Sequence, residues 1–318
     1  MTRDRHEMIQ RYALFGMSIL SAIDLPELPP LNTADAPEIT VEPGEVTIPP
    51  RGEAKSSGLM IVGDEAILTV PGVARFAIAS GSRITFDAAP GAAPATIRLF
   101  LLGSAMGILL HQRGIVPLHA NAIDTGEGAI AFLGPSGAGK STLAAAFHDA
   151  GRPILSDDVC ALEYSGGNYL ALLGVPRLRL WKDALENTGR NPADYEPVLD
   201  AVEKFTVATG RVVPARATAL RAIYVLANAA AEGRIAIREL SGRHAFEAIV
   251  ANTYRGSAIE IVGNSRAYFE QCLVLTRSVP VFEFSRPWDA QRLPEAVPVI
   301  ERHLESLGVA PAARVSSG

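Results

Sequence analysis

The sequence predicts an α/β domain preceded by a small β-rich module, and three observations carry that expectation. Residues 1 to about 94 are rich in Pro and Gly, with short alternating or β-branched runs between turn signals. From Thr96 onward apolar helices and short strands alternate, the pattern of an α/β domain. Within that alternation, "AFLGPSGAGKSTLAAAFHDAGRPILSDD" at 131–158 sets a glycine-rich turn between an apolar strand and a helix.

The elements follow in order. "LPELPPLNTADAPEI", "VEPGEVTIPPRGE" and "TVPGVARFAIASGSRITFDAAPGAAP" read as strands and turns of the small module, which ends in a flexible "AAPGAAPA". The expected domains are therefore 1–94 and 95–318. "TIRLFLLGSAMGILLHQRG" carries Arg98 near its start and has only about a dozen uninterrupted apolar or small residues, short of the ~20 that span a bilayer, so it reads as a buried core helix stopped by Gly114. After it come "IVPLHANAIDT", a "GEG" turn, the strand "AIAFLG", a helix over 140–150 and the strand "PILSDD". The "SGG" in "VCALEYSGGNYLALLGVPRLRLW" marks a hairpin, and "TALRAIYVLANAAAEGRIAIREL" reads as two strands around an "AEG" turn. "SRAYFEQCLVLTRSV" and "DAQRLPEAVPVIERHLESLG" carry helical spacing.

Composition narrows the function classes. Hydrophobic residues are 48% and charged residues 20% of the 318, as in a globular protein with a full core. The 29 Lys and Arg against 34 Asp and Glu leave a net charge of -5, so no global positive field draws the chain to nucleic acid or to a membrane. Cys160 and Cys272 read as reduced, buried thiols, and the mixed-charge start "MTRDRHEMIQRYALFGMSIL" has no export pattern. A cytoplasmic location is expected. Oligomeric state stays open, a homo-oligomer included.

The glycine-rich turn fits G-x-x-x-x-G-K-[ST], with Gly134, Pro135, Ser136, Gly137, Ala138, Gly139, Lys140 and Ser141, followed by Thr142. Glycines let successive N–H groups curl into one concavity, and the next helix adds its own free N–H groups and positive dipole end. A lysine at this spacing reaches the β and γ phosphates, and the Ser141 hydroxyl can ligate Mg²⁺. ATP and Mg²⁺ are the expected cofactors.

Asp157 and Asp158 close the next strand, whose carboxyl end faces the same crevice as the glycine loop in an open α/β sheet. One carboxylate there can hold Mg²⁺ and another can accept a proton from an attacking hydroxyl. Neighbours on an extended strand face opposite ways, so the two roles require that the chain has already turned. The plainer alternative is an acidic turn cap. His119 lies one strand before the loop, where a lone histidine is more often a core or edge residue than a catalyst.

"PLHANAIDTGEGAIAFLGPSGAGKSTLAAAFHDAGRPILSDDV" resembles the catalytic core of the HPr kinase/phosphorylase family, over about residues 115 to 165. The resemblance implies a compact P-loop fold related to nucleotide-dependent phosphoenolpyruvate carboxykinase. It also implies that Asp158 is the acid/base on a target serine hydroxyl and that His119 positions the transferred phosphate. Lys140 would take the phosphates, and Ser141 with Asp157 the magnesium. "VVPARATALRAIYVLA" is similar to the family's Pro-x-Arg segment and offers Arg216 as a charge stabiliser; an arginine at the surface between strands is the equal alternative. The family's Glu-containing, Gly-rich signature is not visible where "LLGVPRLRLWKDALE" stands, so the resemblance leaves HPr as substrate and the reverse reaction open. Asp183 and Glu186 are the acids available there in its place.

"YALFGMSILSAIDLPELPP", "GVPRLRLWKDAL", "NTYR" and "VPVFEFSRPWDAQRLPE" together resemble the HPr-kinase-like proteins encoded with lasso-peptide biosynthetic machinery, some of which phosphorylate a C-terminal serine of the precursor peptide. The leading expectation is an ATP-dependent serine kinase acting on a precursor peptide or small protein. A nucleotide-operated binding module is the alternative from a different class, and a kinase acting on a small molecule or a carboxykinase-like enzyme the third.

Overall fold

A computed structural model describes residues 9–48, 58–175, 177–199, 202–209, 217–228, 233–262, 265–287, 289 and 292–308. The chain forms two compact units, 1–117 with 254–270, and 118–253 with 271–318. The fold class matches expectation: an α/β unit carries the glycine loop, and a β-rich unit accompanies it.

In the β-rich unit, β1 (Gln10–Leu14), β2 (Met17–Ser21), β3 (Ile39–Pro43), β4 (Leu59–Val62), β5 (Glu65–Val70), β6 (Ala74–Ala79) and β7 (Arg83–Ala88) form one sheet in the order β1-β2-β3-β7-β6-β5-β4. β4 to β7 are an antiparallel meander, while β3 runs parallel to both β2 and β7. Alternation is visible in β2, where Met17, Ile19 and Ser21 are buried between half-buried neighbours, as a one-sided core requires.

The apolar helix Pro94–Gln112 belongs to this unit, so the division falls at 117 rather than at 94. The expected linker is instead a tight turn: Ala92 N–H donates to Ala89 O (3.0 Å), and Pro94 starts the helix, where its missing N–H and fixed φ are harmless. Polar clips hold the far end of the helix to the sheet. Gln112 Nε2 donates to Ile78 O (2.9 Å), its Oε1 accepts from Gly81 N (2.9 Å), and Arg113 donates to Gly81 O (2.9 Å). Near its start, Arg98 pairs with Glu27 at 2.8 Å. It is the one helix among the described residues long and apolar enough to cross a membrane, and 61% of its most apolar window is buried in the protein.

After β8 (Val116–Leu118), within which the units divide, the second unit contains β9 (Ala120–Asp124), β10 (Ala129–Leu133), β11 (Ile154–Ser156), β12 (Cys160–Ser165), β13 (Asn168–Ala171), β14 (Arg177–Trp181), β15 (Glu196–Leu199), β16 (Val202–Ala208), β17 (Thr218–Asn228), β18 (Ala236–Leu240) and β19 (Val281–Arg286). Its main sheet runs β11-β9-β10-β17-β13-β12, with β19 on the later half of β17 and β18 outside β19. The two strands expected around "AEG" are present, but β19 lies between them. A smaller sheet has the order β14-β16-β15.

Sheet direction positions the site. β10 is antiparallel to β9, and β9 to β11, so β10 and β11 end on the same side. The register Leu133↔Ala120 brings His119 to the edge where Gly134 leaves the sheet. The helix Lys140–Asp149 is then anchored by Leu143, Ala144 and Phe147, all fully buried, with the Phe147 ring 5.4 Å from that of Phe132. Burying each of the two larger side chains contributes about 1.5–3 kcal/mol, which fixes the first helical turn that carries Lys140 and Ser141. Cys160 and Cys272 form no disulfide and are both buried, as expected.

Candidate functional site

The glycine loop needs its glycines for two separate reasons. Gly139 caps the helix Lys140–Asp149 at φ 82°, the left-handed region where a Cβ is strained. At Gly134, φ is 150° and a Cβ would sit 3.1 Å from the Cβ of Ala138. Between them Pro135, Ser136, Gly137 and Ala138 form the turn, and Ala138 N–H donates to Pro135 O (3.1 Å). Lys140 folds back across the loop: its Nζ donates to Gly134 O (2.6 Å) and Pro135 O (3.2 Å). Burial pushes its ammonium down to about 8, against the opposing pull of Asp158 and Asp157.

Beyond β11 the two aspartates part company. Asp158 has φ 76°, a left-handed turn that an Asp tolerates better than most residues, and this redirects the chain so that the acids do different things. Asp157 is turned inward. Its Oδ1 accepts from Asn121 Nδ2 (2.6 Å) and Ser141 Oγ (3.1 Å), and its Oδ2 from the Arg179 backbone N–H (2.7 Å). Burial, then the charge of Asp158, pushes its carboxyl above the usual range.

Asp158 faces a cavity of about 170 Å³, lined also by His119, Asn121, Ser136, Gly137, Gly139, Lys140, Ser141 and Thr142. His119 Nδ1 lies 3.2 Å from Asp158 Oδ1, and Arg179 Nη1 3.7 Å from Oδ2. Burial opposes the charged form of Asp158, but the hydrogen bond and charge of His119, followed by Arg179 and Lys204, outweigh it and hold the carboxyl at about 2. Two adjacent carboxyls thus have their proton affinities pushed apart, with the cavity-facing one ionised.

The donors beside Ser141 suit a magnesium ion. Ser141 Oγ and Asp157 Oδ1 are hard oxygen ligands 3.1 Å apart, and the buried Asn121 Oδ1 next to them has no hydrogen-bond partner. A cation would also relieve the cost of a buried carboxylate next to a second one. No group of three or more His, Cys, Asp or Glu is placed to hold a metal among the described residues. Magnesium does not require one, because it keeps waters and takes substrate phosphates as ligands. Of the two substitute acids, Asp183 lines the cavity, its Oδ1 accepting from Ala184 N–H (2.9 Å), whereas Glu186 is exposed and does not.

His119, Lys140, Ser141 and Asp158 therefore meet at one cavity, with Asp157 directly behind Ser141. Arg216 lies outside the described residues. Four further residues belong to the site although the sequence assigned them no role, Arg179 and Trp181 within "GVPRLRLWKDAL", Asn252 within "NTYR", and Lys204. Asn252 Oδ1 accepts from Gly134 N–H (2.9 Å) while its backbone O accepts from His119 N–H (2.7 Å), so one residue braces the loop and the histidine together. Arg179 serves both aspartates; Trp181 and Lys204 line the cavity from β14 and β16.

No protein-family model matches the chain, and no curated protein matches it in sequence. Among solved structures it is similar to the HPr(Ser) kinase/phosphatase from Coxiella burnetii, at 13% identity over 60% of this chain and 98% of that one. The TM-score is 0.33, too loose a likeness to bear on function.

Proposed function

We propose that this protein is an ATP-dependent kinase that transfers the γ-phosphate to a serine hydroxyl of a peptide, the C-terminal serine of a lasso-peptide precursor being the favoured acceptor. The observation that supports transfer is the shared cavity: an ionised carboxylate, Asp158, opens onto the same space as the phosphate loop and Lys140. The acceptor class rests on the sequence resemblance alone.

In this reading the loop N–H groups and the start of the helix Lys140–Asp149 bind the phosphates, and the Lys140 ammonium exchanges the Gly134 and Pro135 carbonyls for phosphate oxygens. Ser141 and Asp157 would hold Mg²⁺, whose charge shields the phosphate oxygens. Asp158 orients the acceptor hydroxyl and takes its proton as the new P–O bond forms and the bond to the departing diphosphate breaks. A carboxyl held at about 2 is a weak base, which suits a loose transition state in which the hydroxyl becomes acidic late. His119 steadies Asp158 through the 3.2 Å contact and stands ready to brace the transferred group, and Arg216 would add charge to it. Positioning and electrostatics carry the acceleration.

The test is Lys140→Ala. It should keep the fold and abolish ATP binding or transfer, because the ammonium rests on the loop carbonyls at the cavity rather than among the apolar side chains of the core. A Lys140→Ala protein that transfers phosphate at the parent rate removes the loop from the mechanism.

A further inference from the structure

The wall of the cavity supplied by the small sheet contains a cation that the mechanism above leaves unused. Lys204 on β16 stands opposite Trp181 on β14 in the antiparallel register, and both residues line the cavity with Ser136, Gly137 and Gly139 to Thr142. Lys204 Nζ lies 5.8 Å from the centroid of the Trp181 ring, whose residue is 45% exposed. Among the described residues no carboxylate stands within ion-pairing distance of that ammonium. The indole face holds the charge in place without neutralising it, as a carboxylate would.

A second ammonium near Lys140 is unfavourable by itself, since like charges in a partly desolvated cavity repel. The two aspartates offset part of that repulsion, but one is engaged by Ser141, Asn121 and Arg179 and the other by His119 and Arg179. What the pair of lysines lacks is a polyanion. We propose that Lys204 is a second phosphate-contacting cation, positioned by Trp181 to meet the terminal phosphoryl group of a nucleoside triphosphate from the side opposite the glycine loop, while the loop holds the inner phosphates and Lys140 bridges the β and γ phosphates. This rests on reading the cavity as a nucleotide site and adds a cation from outside the glycine loop.

The inference is tested by calorimetric titration of the full chain with Mg²⁺–AMP-PNP and with Mg²⁺–ADP, using the parent, Lys204→Met, Lys204→Arg and Lys140→Ala. Thermal melts check that each variant is folded. Lys204→Met should lose about tenfold or more in affinity for the triphosphate analogue and less than about threefold for ADP, and Lys204→Arg should restore most of the loss. An equal loss for both nucleotides, or none for either, overturns the proposal, as does a Lys204→Arg protein no better than Lys204→Met. The Lys140→Ala arm separates the two levels. If it abolishes binding while Lys204→Met changes nothing, the nucleotide site stands and the role of Lys204 falls. If the parent binds neither nucleotide, the nucleotide reading fails and takes the proposal with it; if Lys140→Ala binds both as tightly as the parent, the nucleotide does not sit on the glycine loop and the proposal falls with that placement.

Discussion

Replacing Asp158 by Asn is the sharpest perturbation the structure offers, because it removes a charge and almost nothing else. The backbone there is left-handed at φ 76°, and Asn is among the residues that tolerate that region, so the turn after β11 should persist. The lost interactions are the 3.2 Å contact to His119 and the 3.7 Å pair with Arg179. A hydrogen bond to a charged group is worth about 1.5–3 kcal/mol, but the variant also loses repulsion from Asp157 and the cost of burying a charge. The net change in stability should therefore stay within about 2 kcal/mol. Transfer should fall about 10²- to 10⁴-fold, the range for a positioned general base, while ATP affinity holds within a few-fold because the loop N–H groups are untouched. Nucleotide titration beside a single-turnover transfer assay reads both quantities. Transfer within a few-fold of the parent would refute the role of Asp158. An affinity that drops and becomes steeply dependent on Mg²⁺ would instead make it a metal ligand.

Three further outcomes follow from the geometry. Lys140 is held at about 8, below its ordinary 10.5, so the folded protein gives up that proton before the unfolded chain does. Stability relative to Lys140→Met should rise by on the order of 3 kcal/mol as pH increases from 8 to 10.5, return to its starting level as pH drops back from 10.5 to 8, and stay flat below that, measurable by denaturant titration at each pH. ATP affinity should weaken above pH 8 in the parent, with proton uptake on binding near pH 9 visible as a dependence of the calorimetric heat on the buffer; a flat profile contradicts the assignment. Asn252→Ala leaves the Gly134 N–H without its 2.9 Å acceptor, so it should cost about 1–3 kcal/mol and weaken nucleotide binding, whereas Asn252→Asp should recover part of both.

What could be read from the residues was mostly local. The strand, glycine loop and helix are contiguous and periodic, and the "SGG" turn joins β12 to β13 with Gly166 and Gly167 both at positive φ. Pairing between distant strands was not legible, because no local pattern says that β19 enters between β17 and β18. The helix Pro94–Gln112 reads as buried, but its sequence does not say against which sheet. In the site, the motif residues were visible, while Asn252, Arg179, Trp181 and Lys204 arrive from elements that only the folded register brings to the cavity. Whether the adjacent aspartates could serve different partners depended on one dihedral angle, at Asp158, which sequence spacing does not encode.

The claim that the cavity transfers phosphate, rather than only holding a nucleotide, is tested most directly by mass spectrometry of short peptides ending in serine. The peptides encoded beside this chain would be incubated with ATP, Mg²⁺ and the parent protein. The account predicts one added phosphoryl group on serine with the parent and none with Asp158→Asn over the same interval. A parent protein that binds ATP tightly yet modifies no such peptide would contradict it, and would leave a nucleotide-operated binding module in its place.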